Sequence, residues 1–255
     1  MSSLWETVSP PTAAGGTGGS GTRVITEVLS ASGVFMGSHL NLAGDSLDLA
    51  DFEWRWGEPY LAAEQAGQAP HLEGMERAFY SSVGAHLSGY DPATGPWGWK
   101  HPHSYLLLPW LDALIPQLRF IHIVRDGRRM AFSRNQKQPL QYGEAALGAQ
   151  SALMAGPARA IRFWSWANER AADYGEGHMQ GRYLRLRFED ICEDPRSACA
   201  TMIAFAHEGK GAPAELIART AALVSGQRAQ RAQPTQESAE IEQLGLRGLE
   251  RFGYL

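Results

Sequence analysis

The sequence predicts an α/β fold, a three-layer α/β/α arrangement around a central, mainly parallel sheet. Two observations carry this. Short apolar runs of strand length alternate with amphipathic stretches of helical spacing along the chain, with no internal repeat. The clearest run, Phe120 to Val124, is continuously apolar apart from His122, as a strand covered on both faces must be.

The elements follow in order. Residues 1–11 close on Ser9-Pro10-Pro11 and read as a flexible tail, leaving 12–255 as a single domain. Thr12 to Ala14 is a short, weakly apolar strand that enters a glycine-rich loop, "GGTGGSGTR". Behind it, Val24, Val28 and Ala31 share one face of a helix closed by Gly33. Residues 38–70, rich in aromatic and acidic side chains, read as irregular, and "GMERAFYSSVGAHLSGY" as a helix. "GPWGWKHPH" reads as extended, followed by a helix through "YLLLPWLDALIP". The Phe120–Val124 strand breaks into a basic loop, "RDGRRMAFSRN", with a helix start near Gly127 capped by Asp126. Ile161, Trp164, Asn168 and Ala171 recur at helical spacing, and "GRYLRLRF" alternates as a strand does. Asp194-Pro195 opens the next helix, and two more close the chain, one ending at Gly226.

Composition narrows the function. Hydrophobic residues make up 44% and charged residues 20% of 255, the profile of a core-forming protein. A net charge of −4 argues against nucleic acid as a partner, which needs a basic face, yet permits a local basic pocket. Cys192 and Cys199, the only cysteines, read as structural, and no metal is expected. No window approaches the ~20 apolar residues of a membrane span, no secretory signal opens the chain, and a cytoplasmic location is the expectation.

Ligands of parallel sheets sit beyond the carboxyl ends of the strands, where both loops of interest begin. In the first, Gly18, Gly19, Ser20, Gly21, Thr22 and Arg23 have the composition of a phosphate cradle, with backbone N–H groups turned inward and a helix start behind them. The Lys that follows the last Gly in ATP-binding loops is absent, so a linker, an altered ATP site and a cradle for another nucleotide all stay open at this stage. In the second, Arg125 and Ser133 stand eight positions apart, spaced to fork a guanidinium and a hydroxyl onto one phosphate.

Taken together, "GTGGSGTR", "RDGRRMAFS", "KHPH" and "YLRLRFEDICEDP" make the chain resemble the sulfotransferases that use 3′-phosphoadenosine 5′-phosphosulfate (PAPS). In that family a G-x-x-[RK]-S-G-T-T loop binds the 5′-phosphosulfate and an R-D-x-R…S segment the 3′-phosphate. The closing "RFGYL" resembles the family's "LGY" ending. The separation from Lys100 to Arg125, 25 positions, is that of the tyrosylprotein-sulfotransferase branch.

The resemblance implies a P-loop-like fold and in-line sulfuryl transfer from PAPS to a hydroxyl, less readily an amine, with 3′-phosphoadenosine 5′-phosphate (PAP) as product and no metal. Gly18 to Arg23, Arg125 and Ser133 would then bind the nucleotide, and Lys100 would meet the leaving oxygen. The acceptor would be a small molecule, a glycan or a peptidyl hydroxyl. Two departures stand out: Gly19 occupies the place of the usual Arg or Lys, and Arg23 that of the second Thr. Arg23 reads as a relocated charge.

For the base that takes the acceptor proton, the family count from Ser20 lands on Leu40, which cannot serve. Asp45 leads, then His39; Asp48, Glu53, His101 and His103 are further candidates. The acceptor pocket is expected from residues 38–70, with Trp54, Trp56 and Tyr60, and from Trp97 and Trp99. A small-molecule kinase, or a nucleotide-binding regulatory protein without turnover, are the competing readings.

Overall fold

The computed structural model describes residues 4–68, 72–228 and 238–255. The elements run α1 (Leu4–Thr7), β1 (Thr12–Gly15), α2 (Arg23–Ala31), α3 (Leu47–Gln65), α4 (Met75–His86), β2 (Gly98–Lys100), α5 (Leu108–Leu114) and β3 (Arg119–Val124). They continue with α6 (Gly127–Ala131), α7 (Lys137–Leu147), α8 (Gly156–His178), β4 (Tyr183–Arg187), α9 (Phe188–Glu193), α10 (Pro195–Ala206), α11 (Ala214–Arg228) and α12 (Ala239–Arg251). The described strands form one parallel sheet in the order β2-β1-β3-β4.

Strand residues alternate between two helical layers. Ala13, Trp97, Trp99 and Phe120 point into a core shared with α3, α4, α5 and α8. Ala14, Ile121 and Ile123 point the other way, onto α2, α9, α10 and α11. This is the three-layer arrangement the sequence predicts. The weak apolarity of β1 has a steric cause: a Cβ on Gly15 would meet the backbone N of Tyr105 at 2.9 Å and the ring of Phe120 at 3.3 Å. Large neighbours, not β1's own side chains, fill the space around this strand.

Two expectations need correcting. Residues 38–70 are not irregular: α3 takes 19 of them, burying Leu49, Phe52, Glu53, Gly57, Tyr60 and Leu61 at helical spacing, while 69–70 lie outside the described residues. Gly57-Glu58-Pro59 mimics a break, but Pro59 continues the helix, and Gly57 is small because a Cβ there would lie 3.0 Å from the Tyr142 ring. The segment expected as a tail forms α1 from Leu4, with residues 1–3 outside the described ones. It is fastened by Trp5 Nε1 donating to Tyr80 Oη at 3.1 Å and Trp97 Nε1 donating to the Ser9 carbonyl at 2.7 Å.

Asp126 and Asp194 accept hydrogen bonds from the N–H groups of Arg128 and Ser197 and so cap α6 and α10. The helix that follows β3 is short. It stops at Ala131 because Gln136 Nε2 donates to the carbonyls of Met130 and Ser133, at 3.1 and 2.6 Å, satisfying that end of the helix. Ser133 therefore sits in the turn beyond α6. Among the described residues no helix is long and apolar enough to cross a membrane.

Candidate active site at the carboxyl ends of the strands

Three adjacent strands end at one edge of the sheet. β1 delivers the glycine-rich loop, its neighbour β3 delivers Arg125, and its other neighbour β2 delivers Lys100. Parallel pairing of β1 with both neighbours brings the three segments together, and further backbone bonds lock them. His101 N donates to the Ala14 carbonyl at 3.1 Å, and Gly16 N to the Pro102 carbonyl at 3.1 Å.

The glycine-rich loop needs its glycines. Gly19 and Gly21 have φ of 96° and 98°, the left-handed region that suits glycine. A Cβ on Gly21 would also fall 2.2 Å from the Phe188 ring. Gly18 N donates to Gln138 Oε1 at 3.3 Å, and Gln138 Nε2 donates to the Gly16 carbonyl at 3.3 Å, so α7 braces the turn. Ser20 is fully buried and its Oγ makes no hydrogen bond; Arg23 Nε is likewise buried and unbonded. Thr22 stands at the N-cap of α2 without a side-chain cap, and Val24 N and Ile25 N donate to the carbonyls of Gly21 and Thr22, each at 3.1 Å.

The second loop closes on the first. Arg125 Nη1 donates to the Gly19 carbonyl at 3.0 Å, and its guanidinium lies 4.9 Å from the centre of the Phe188 ring. A Cβ on Gly19 would stand 3.6 Å from Ser133 Oγ and 3.3 Å from Met130 Cε. At Gly19 the φ of 96°, rather than lack of space beside Ser133, is what favours glycine.

Behind the loop runs a buried polar chain. Tyr183 Oη donates to His122 Nδ1 at 2.6 Å, His122 Nε2 donates to Asn168 Oδ1 at 2.9 Å, and Asn168 Nδ2 donates to Thr17 Oγ1 at 3.1 Å. Complete burial pushes the His122 pKa down to about 3, which keeps the ring neutral, as this chain of single donors requires. The chain ties β4, β3 and α8 to the first turn of the loop.

On the other side, Lys100 is 1% exposed. Its Nζ donates to the Ala43 carbonyl at 2.7 Å and pairs with the Asp45 carboxylate. Burial works to raise the Asp45 pKa, but the Lys100 charge and the hydrogen bonds from Lys100 and Asn41 outweigh it and hold the carboxyl below its ordinary value. Glu53, buried on α3, pairs with His101 Nδ1 and accepts from Ser104 Oγ. The His101 ring stacks obliquely on His103, centroids 4.8 Å apart, and His103 Nδ1 bonds Tyr142 Oη at 2.8 Å. Burial, followed by the charges of His101 and Lys137, drives the His103 pKa well below its ordinary value.

The remaining sequence candidates separate. His39 points to the surface, its side chain 70% exposed, with Nδ1 at 3.2 Å from Asp48. Trp97 and Trp99 do not line a pocket; they are fully buried core, and Tyr60 is almost as deeply enclosed. Trp54 stays partly exposed, edge-on to His103 at 4.7 Å between ring centroids. The Glu53–His101 pair links positions 48 apart in sequence, and only the spacing of Leu49, Phe52 and Glu53 on one helical face hinted that Glu53 turns inward.

Comparison with known proteins places this edge in context. A profile described as "Sulfotransferase family" matches residues 15–208. A search of curated protein sequences returns no match. Among solved structures, the fold is similar to the sulfotransferase domain from the curacin biosynthetic pathway, with a TM-score of 0.62 at 14% identity, covering 97% of this chain and 99% of that one. It is also similar to the sulfotransferase domain of the Synechococcus PCC 7002 olefin synthase, with a TM-score of 0.52 at 16% identity, over 97% and 96% of the two chains. Sulfotransferase STF1 from Mycobacterium tuberculosis gives a TM-score of 0.53 at 15% identity, over 97% of this chain and 77% of its own. The profile spans the glycine-rich loop, Lys100, the Arg125–Ser133 segment and β4, and the chain belongs to the sulfotransferase family.

Proposed function

We propose that the protein transfers the sulfuryl group of PAPS to the hydroxyl of a small-molecule, glycan or peptidyl acceptor, releasing PAP. The observation that carries this reading is the Arg125–Gly19 contact, which joins the two anion-binding loops into one clamp beside Lys100.

The residues fit such a donor. Ser20 Oγ and Arg23 Nε are buried polar atoms lacking partners, and the uncapped start of α2 adds its positive end. These groups would hold the 5′ end. Arg125 and Ser133 would hold the 3′-phosphate, the guanidinium by paired charge-assisted hydrogen bonds. When bound, PAPS supplies an activated sulfuryl group. Fixed cations and N–H groups suit the charge that builds on the leaving phosphate, and Lys100 Nζ is the cation we assign to it.

The proton acceptor we assign is His101. With Nδ1–H on the Glu53 carboxylate, the imidazole keeps Nε2 as its basic nitrogen, and Glu53 fixes the tautomer. Asp45 is already engaged on Lys100, which turns its carboxylate away from the role of base.

Incubation with sulfur-labelled PAPS and a panel of phenol, sugar and aliphatic alcohols tests the reading, with ATP in parallel. Transfer of label supports it. Turnover of ATP points instead to a kinase, and tight PAP binding with no turnover on any acceptor to a regulatory nucleotide binder.

A further inference from the structure

The loop between Leu40 and Ser46 does more than follow α2. Its base is pinned: Leu40 and Ser46 bridge as an antiparallel pair, Leu47 N donates to the His39 carbonyl at 2.9 Å, and Ser46 N donates to the Lys100 carbonyl at 2.8 Å. Its tip is closed on itself, with Asn41 Oδ1 accepting from Ala43 N at 2.7 Å and Asp45 N at 3.0 Å, and Asn41 Nδ2 donating to Asp45 Oδ2 at 2.8 Å. Thr26 Oγ1, on α2, donates to the Gly44 carbonyl at 2.9 Å. Everything in this construction aims Asp45 and the Ala43 carbonyl at Lys100 Nζ, while Leu42 projects outward, 96% exposed.

An ammonium so enclosed cannot serve two anions at full strength. A phosphate oxygen approaching Lys100 from the glycine-rich loop meets a carboxylate already bonded there, and like charges that close repel. We infer that Asp45 is an internal competitor for the donor's 5′-phosphate: it masks Lys100 until that phosphate displaces it, so the lysine turns toward the leaving oxygen only in the donor complex. This inference rests on the donor reading proposed above. The exchange breaks one ion pair and forms another, with no covalent change. It weakens apparent affinity in inverse proportion to the fraction of molecules in which the clasp is open, so a clasp shut in about nine molecules of ten weakens donor binding about tenfold.

A structural counter-ion and a competitor differ in what their removal does. Calorimetric titration with PAP and with adenosine 3′-monophosphate, which lacks the 5′-phosphate, separates them in the wild type, Asp45→Asn and Glu73→Gln, a remote exposed carboxylate. Asp45→Asn should tighten PAP about tenfold, leave adenosine 3′-monophosphate unchanged, and differ from Glu73→Gln, which should move neither. Unchanged or weaker PAP binding by Asp45→Asn, with the wild type binding normally, overturns the inference and leaves the donor reading intact. Absence of PAP binding in every form overturns the donor reading and this inference with it. Should Asp45→Asn not fold, the wild type still answers. PAP, but not adenosine 3′-monophosphate, should speed amide exchange at Ala43 and Asp45 as the clasp opens; equal exchange with both nucleotides refutes it.

Discussion

Arg125 Nη1 reaches across from the end of β3 to the carbonyl of Gly19, 3.0 Å away, so the cation of one loop is part of the backbone geometry of the other. The contact couples the two proposed anion sites mechanically. A ligand that pulls on the guanidinium also moves the tip of the glycine-rich turn. Phe188 backs both, lying beneath the guanidinium and against Gly21.

Arg125→Ala should weaken PAP affinity by about 1.5–3 kcal/mol, the range for hydrogen bonds to charged groups, measured by calorimetry. The side chain is only half-buried, so the unliganded protein should lose little thermal stability. Undiminished PAP binding in this variant would remove Arg125 from the nucleotide site.

Restoring the family's cation by Gly19→Arg should not improve the enzyme. Its φ of 96° is strained for any side chain, and a Cβ there lies against Met130 and Ser133. We expect PAP affinity to fall by about tenfold or more, because a side chain is strained at this φ and the turn must shift to relieve it. A gain in affinity or rate on this substitution would mean that the loop relaxes more than its packing allows.

The contrast between loop and base shows what this sequence makes legible. The two loops and Lys100 stand at strand ends, and strand ends in a parallel sheet converge by topology alone; local patterns therefore sufficed to bring them together. α3 was hidden because Gly57 and Pro59 carry the local signature of a break, while the reason for Gly57, the Tyr142 ring, lies 85 positions away. Glu53 was one carboxylate among many until the helix turned it inward to His101. Ser133's departure from α6 depends on Gln136 reaching back to the helix carbonyls, a side-chain choice that periodicity does not encode.

Acid should destabilise the fold through histidines that are buried neutral. His122, His86 and His103 are all held below the ordinary histidine value, chiefly by burial. In the window between 6.5 and the depressed folded values, the unfolded chain binds protons that the folded chain refuses, so stability falls as pH falls. For His122, whose folded value is about 3, the loss between pH 7.5 and 5.5 is about 1 kcal/mol. Asp45, with its lowered value, keeps its contribution across that interval, since both its folded and unfolded forms stay ionised there. Urea unfolding at the two pH values measures the sum; equal stability, or greater stability at pH 5.5, contradicts the buried-neutral assignment.

The Glu53–His101 pair gives the most direct kinetic test of the proposed chemistry. General-base catalysis contributes about 10²–10⁴ in rate, so His101→Ala should lower kcat by about that factor while leaving the Kd for PAP unchanged, since the imidazole serves the acceptor and not the nucleotide. Glu53→Gln keeps a hydrogen-bond partner for the ring but loses the charge that fixes its orientation, and should cost less, about tenfold. Because Glu53 is buried, part of any effect can come through folding; a fall in kcat with unaltered PAP affinity separates the positioning role from general damage. Lys100→Met provides the contrast. It removes the cation at the leaving oxygen and should depress kcat at least a hundredfold, by about 3 kcal/mol of barrier, even for phenol acceptors acidic enough to need no base. His101→Ala should recover most of its rate on those acceptors, and a Lys100→Met enzyme that recovered equally would place the lysine outside the leaving-group site.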